Sequence, residues 1–139
     1  MNKGLTIIEL IVVIAIIGVV GVSVSPFVTS FLGSTNIETT SDNLVSAIGK
    51  AQSYAMDQKY GEIWGVCISG GKIVVYSGSC AAPITFDDFS IPGSVVVTGI
   101  TDVGFNIRGE PSAPLSVSLV SPTRSTQIDL TAAGAININ

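Results

Sequence analysis

The sequence predicts an α+β protein, with one long N-terminal α-helix packed on an antiparallel β-sheet domain. Three observations carry this. Between Leu5 and Val24 every residue but Glu9 is uncharged, and nearly all are aliphatic. From Leu44 to Ala55 apolar residues recur at helical spacing. Beyond Glu62 the apolar period falls to two, with turn residues between the segments.

The chain has 139 residues, 47% hydrophobic and 12% charged, and much of that bias sits in the first run. About 20 residues of helix rise roughly 30 Å, the thickness of a bilayer core. The run exceeds the h-region of a cleaved secretory signal, about 7–15 residues. Its basic flank is Lys3 alone, and "SVSPF" at 23–27 makes a poor cleavage site. A retained single-pass anchor is expected. Lys3 before the run places the N-terminus in the cytoplasm and the remainder outside the inner membrane.

Composition also excludes functions. Net charge is −4, and Arg108 and Arg124 do not cluster, so no nucleic-acid partner is expected. The absence of histidine removes His-based catalysis and most zinc sites. The many Ser and Thr residues have no base to activate them. No catalytic residue, cofactor or metal is expected, and the protein reads as a non-enzyme.

Glu9 needs a reason, because a charge inside a bilayer costs about 2.5–3.5 kcal/mol on insertion scales. It belongs to the segment Lys3-Gly4-Leu5-Thr6-Ile7-Ile8-Glu9-Leu10. That segment resembles the processing site of type IV prepilins and pseudopilins, a short basic leader ending in Gly with a Glu fifth after the cut. The resemblance implies a leader at 1–4, cleavage by a prepilin peptidase between Gly4 and Leu5, and N-methylation of Leu5. Leu5 departs from the family's usual Phe. Gly18 and Pro26 fit the family's mid-run glycine and terminal proline, giving a transmembrane and filament-core helix at 5–26. The resemblance also implies a partner for Glu9 in assembly. The amine freed on Leu5 of one subunit can meet the Glu9 carboxylate of a neighbour, supplying the counter-charge a buried ion requires. Gly18 lowers helix propensity and Pro26 removes a backbone hydrogen bond, so a kink at Pro26 and loosening between the two are expected.

The segment 27–61 reads as an amphipathic helix. Leu44, Ile48, Ala51 and Ala55 share one face, while Asp42, Lys50 and Asp57 lie off it. Gly61 suits the C-cap. The β-rich domain then occupies 62–139. In "EIWGVCISGGKIVVYSG" a Gly70-Gly71 turn pairs Ser69 with Lys72. Trp64, Val66, Ile68, Ile73 and Val75 then share the face toward the helix, with Cys67 on the other face opposite Val74. The segment 83–93 reads as a loop or short irregular strand. Strands are expected at 95–100, 104–107, 115–120 and 127–131. In the last hairpin a three-residue loop, Ala132 to Gly134, opposes Leu130 to Ile136 and Ile128 to Ile138, which the apolar pattern favours.

Cys67 and Cys80 are the only cysteines, and the domain should face an oxidising space. An extended strand would place Cys80 about 20 Å from Cys67. Bridging needs a reversal at Ser77-Gly78-Ser79. A disulfide and two partly buried thiols both remain open. Some pseudopilins bind calcium through acidic loops. Asp87-Asp88 alone fall short of the roughly six to eight oxygens calcium takes, so a solvated acidic turn is expected there.

The Phe105–Gly109 stretch and the hairpin around Gly134 look like the GspH/FimT group of minor pseudopilins. Taken together, the resemblances imply a structural subunit of a type IV pilus-like filament. It would be a minor pseudopilin of a type II secretion system or a minor pilin. Its partners would be other pilin subunits, prepilin peptidase, the inner-membrane assembly machinery and membrane lipid. A major pilin of the filament shaft, or a membrane-anchored β-domain binding protein of another kind, are the alternatives.

Overall fold

The computed structural model describes residues 6–139, with the side chains of 22–27, 29–30, 60 and 85–86 outside the description. The chain divides into two compact units, one ending at Leu32 and the other spanning Gly33–Asn139. Helix α1 (Ile7–Met56) enters both. It passes unbroken through Gly18 and Pro26. In the first unit its described aliphatic side chains are exposed, among them Ile7 at 80% and Val19 at 71%.

In the second unit α1 is buried on one side only. Ile37, Leu44, Ala47, Ile48, Ala51 and Ala55 face inward. This is the stripe that helical spacing anticipates. The helix ends at Met56 rather than at Gly61. Gln58 takes the left-handed conformation there, with φ 47°, and a short 3-10 turn, Lys59–Gly61, follows. The Trp64 indole N–H donates to the Lys59 carbonyl at 2.9 Å, tying this turn to the first strand.

Eight antiparallel strands follow: β1 (Trp64–Ser69), β2 (Lys72–Ser79), β3 (Ala82–Ser90), β4 (Val96–Thr98), β5 (Asp102–Phe105), β6 (Leu115–Val120), β7 (Ser125–Leu130) and β8 (Ile136–Ile138). They form two four-stranded sheets, ordered β3-β2-β1-β5 and β4-β6-β7-β8. Both contribute to one core with α1. Val66, Ile73, Val75, Val103 and Phe105 come from the first sheet, and Val117, Leu119, Ile128 and Leu130 from the second.

Both hairpin registers match the sequence expectation. Ser69 pairs with Lys72 and Cys67 with Val74. Leu130 pairs with Ile136 and Ile128 with Ile138, with Gly134 at φ 83°. Other expectations are corrected. The segment around 83–93, expected as a loop or short irregular strand, is mostly the regular nine-residue strand β3. The strands expected at 95–100, 104–107 and 127–131 lie at 96–98, 102–105 and 125–130. The chain reversal falls at Cys80-Ala81, not at 77–79. Residues 77–79 remain in β2, where the register slips between Tyr76 and Gly78. Such a bulge bends a strand. Cys80 lies 6.2 Å from Cys67 between Cα atoms, and the two are disulfide-bonded.

Two stability predictions follow from this packing. Ile48→Ala opens a cavity in the core that α1 shares with both sheets and should cost about 2–5 kcal/mol. Reduction of Cys67–Cys80 should cost about 3 kcal/mol for a loop of this length. Urea unfolding of the full chain in detergent, with and without reductant, measures both.

Candidate functional site

The residues that sequence reading singles out lie mostly at the start of α1. Lys3, Gly4 and Leu5 fall outside the described residues. Thr6 and Glu9 fall within them. The first helical bond runs from Leu10 N–H to the Thr6 carbonyl at 3.2 Å, which makes Thr6 the N-cap. Its Oγ1 accepts from the Glu9 N–H at 3.4 Å. Glu9 Oε2 in turn accepts from the Thr6 N–H and hydroxyl, each at 3.5 Å. This is a capping box, the reciprocal arrangement that a Thr-x-x-Glu spacing supports. Its bonds are long, hence weak.

The carboxylate therefore has a place within its own chain. It satisfies donors at the helix start that have no helical acceptor. It also sits at the positive end of the helix dipole. Weak bonds of this kind can be exchanged for a stronger cationic partner at little cost. Thr6 is a site residue that the sequence reading missed, although the signal, Thr6-Ile7-Ile8-Glu9, is present.

Residues 1–25 match a family model described as the prokaryotic N-terminal methylation motif. The chain carries the type IV prepilin signature. No curated protein and no solved structure matches the chain. The match is confined to the first 25 residues and describes an N-terminal methylation motif. Among the described residues no helix is long and apolar enough to cross a membrane. The described side chains of the prepilin run extend without interruption only through Gly21.

The remaining candidates lie in the globular unit. Asp87 and Asp88 are strand neighbours and so point to opposite faces of the sheet. Each pairs with its own lysine at 2.5 Å, Asp87 with Lys50 of α1 and Asp88 with Lys72 of β2. They are ion-paired strand residues, not an acidic turn, and cannot converge on one cation. Among the described residues no group of His, Cys, Asp and Glu could hold a metal. Arg124 pairs with Glu38 at 2.9 Å. Gln52 of α1 donates to the carbonyls of Gly109, at 3.0 Å, and Gly134, at 2.8 Å. It thereby joins the Phe105–Gly109 stretch to the last hairpin. No local sequence pattern reveals this long-range bridge.

The Tyr76 hydroxyl donates to the Asp102 carboxylate across the outer face of the first sheet. Gly65 lies beneath the phenol, where a Cβ would come within 2.5 Å of the Tyr76 hydroxyl. Burial pushes the phenol's pKa well above its ordinary value, and the bond to Asp102 and that group's charge push it further. The raised pKa stabilises the fold fully below about pH 10, where the unfolded phenol is still protonated, and that stability is lost as pH rises further. Wild type should therefore lose stability between about pH 8 and about pH 11 more steeply than Tyr76→Phe. Urea unfolding at the two pH values checks this, and equal losses would contradict it.

Proposed function

We propose that this chain is a structural subunit of a type IV pilus-like filament, of the minor pseudopilin or minor pilin kind. The observation that carries the proposal is the prepilin signature, with Glu9 held among the described residues by a weak capping box. The leader 1–4 is removed after Gly4, and Leu5 is then N-methylated. The run 5–26 anchors the subunit in the inner membrane, with the globular part outside the cytoplasm. On assembly the helices bundle through their exposed aliphatic faces. Glu9 leaves its own cap for the Leu5 amine of a neighbour, and Gly18 and Pro26 let the helix loosen. The link between Gly109 and Gly134 through Gln52 supports the minor-subunit reading, because it unites the two stretches that look like the GspH/FimT group.

Processing and assembly separate experimentally. Wild type extracted from membranes should lack Met1–Gly4 by intact mass. Gly4→Val should retain them, because a branched side chain crowds the scissile bond. A wild type that keeps Met1 in filament-forming cells would sink the proposal. Glu9→Val should be processed and membrane-resident, yet crosslink poorly to other pilin-like subunits. Breaking one side of a buried pair costs about 3–5 kcal/mol. Normal crosslinking by the processed variant would show that Glu9 makes no assembly contact.

A further inference from the structure

The two sheets end on β3 and β5 in one case and on β4 and β8 in the other. The edges of the first sheet are guarded. β3 carries Pro83 and the ion-paired Asp87 and Asp88. On β5 the Gly104 carbonyl accepts from the Ser112 N–H at 2.8 Å, and Pro111 bridges to Phe105. The edges of the second sheet have no such guard, since β4 and β8 contain neither charge nor proline. An open edge is a template for strand addition, and charge and proline are what usually block it.

The direction of the β8 backbone groups follows from its ladder with β7. Gln127 and Asn139 exchange both main-chain bonds, at 3.0 and 2.8 Å, and the Thr131 N–H donates to the Ala135 carbonyl at 2.9 Å. Bonded and non-bonded residue pairs alternate along an antiparallel ladder. Asp129–Asn137 is therefore a bonded pair, and Leu130–Ile136 and Ile128–Ile138 are not. The N–H and C=O groups of Ile136 and Ile138 thus point away from β7. Among the described residues no strand lies on that side.

Strand β8 reads the same in both directions, Ile136-Asn137-Ile138. Set antiparallel to a second copy of itself, with a two-fold axis at Asn137, it brings Ile136 opposite Ile138. Their outward N–H and C=O groups then bond across the seam on both sides of the axis. Asn137 meets its own equivalent, and an amide carries both the donor and the acceptor for that meeting. Ile136 packs at the margin of the core, whereas Ile138 is 54% exposed. The pairing sets each Ile138 beside an Ile136, apolar against apolar. β4 lacks this symmetry, because its reversal would oppose Val96 with Thr98.

We propose that β8 is a self-pairing edge, through which two copies of the chain join their second sheets into one continuous sheet. The contact is isologous, as a two-fold axis requires. A seam this short belongs to the weak, transient class of interfaces, below about 1,200 Å². It uses no residue of the prepilin motif and does not depend on the filament reading.

Cysteine crosslinking of the full chain in detergent micelles tests this, in a Glu9→Val background so that the proposed filament contact does not contribute. Across the seam Asn137 and its equivalent form a non-bonded pair, with Cα atoms about 4.5 Å apart, within reach of a disulfide. Residues two positions to either side meet their equivalents only at about 14 Å. Under oxidant Asn137→Cys should therefore dimerise about tenfold faster than Ala135→Cys or Asn139→Cys. Ile138→Pro removes an outward donor and leaves the bonds to β7, so adding it should slow the Asn137→Cys dimer about tenfold. Ile138→Lys, which puts a charge on the edge, should do the same. Circular dichroism and thermal transitions, expected unchanged, identify a variant that has merely misfolded, and the comparison of the three cysteine positions stands without either variant. Equal rates at the three positions, no dimer of Asn137→Cys, or a rate that a folded Ile138 variant leaves unchanged would each overturn the proposal.

Discussion

The globular unit depends on one row of side chains, Ile37, Leu44, Ala47, Ile48, Ala51 and Ala55, each at most 4% exposed. Neither four-stranded sheet has a second layer of its own to cover its apolar face. Each finds that layer in the same helix, so the two sheets share one core without pairing to each other. The small residues matter as much as the large ones. Ala47, Ala51 and Ala55 keep the buried face of the helix low, and Leu44 and Ile48 supply its bulk to the same core. A helix that stopped at Leu32 would leave both sheets without a partner.

What the sequence made legible was local. The helix stripe follows from spacing alone. The registers at Ser69–Lys72 and Leu130–Ile136 follow from turn length and apolar alternation, since a one-residue slip would turn every side chain to the wrong face. What it hid was long-range or carried an ambiguous composition. Strand β3 contains Pro83 and the Asp87-Asp88 pair, residues that usually mark a loop. Its pairing with β2 and the two lysine partners become visible only in three dimensions. The return of β5 from the neighbourhood of the second sheet to the edge of β1 has no local signal either. Gln58 shows the limit at a boundary. Gly61 is the better left-handed residue by type, yet the helix closes at Met56, and the Trp64 indole holds the turn that follows.

At the other end of α1 the same carboxylate answers two requirements. Alone, Glu9 closes its own helix start through Thr6. In assembly it is proposed to meet a neighbour's amine. Under that proposal a weak cap favours the exchange: bonds of 3.4 to 3.5 Å hold the side chain in position without holding it back. A tight cap would stabilise the isolated helix start and oppose such an exchange.

Strand β3 has a consequence of a different kind. It is the outermost strand of its sheet and, at nine residues, the longest in the protein. An open edge of that length is a standing template for strand addition, the first step of aggregation. Pro83 removes one donor from this strand, and Ile84 is the exposed large aliphatic on it. Farther along, two adjacent carboxylates and their lysines place charge above and below the sheet at the same point. An incoming apolar strand would have to strip water from both ion pairs before it could register. The acidic doublet thus raises the cost of strand addition along this edge.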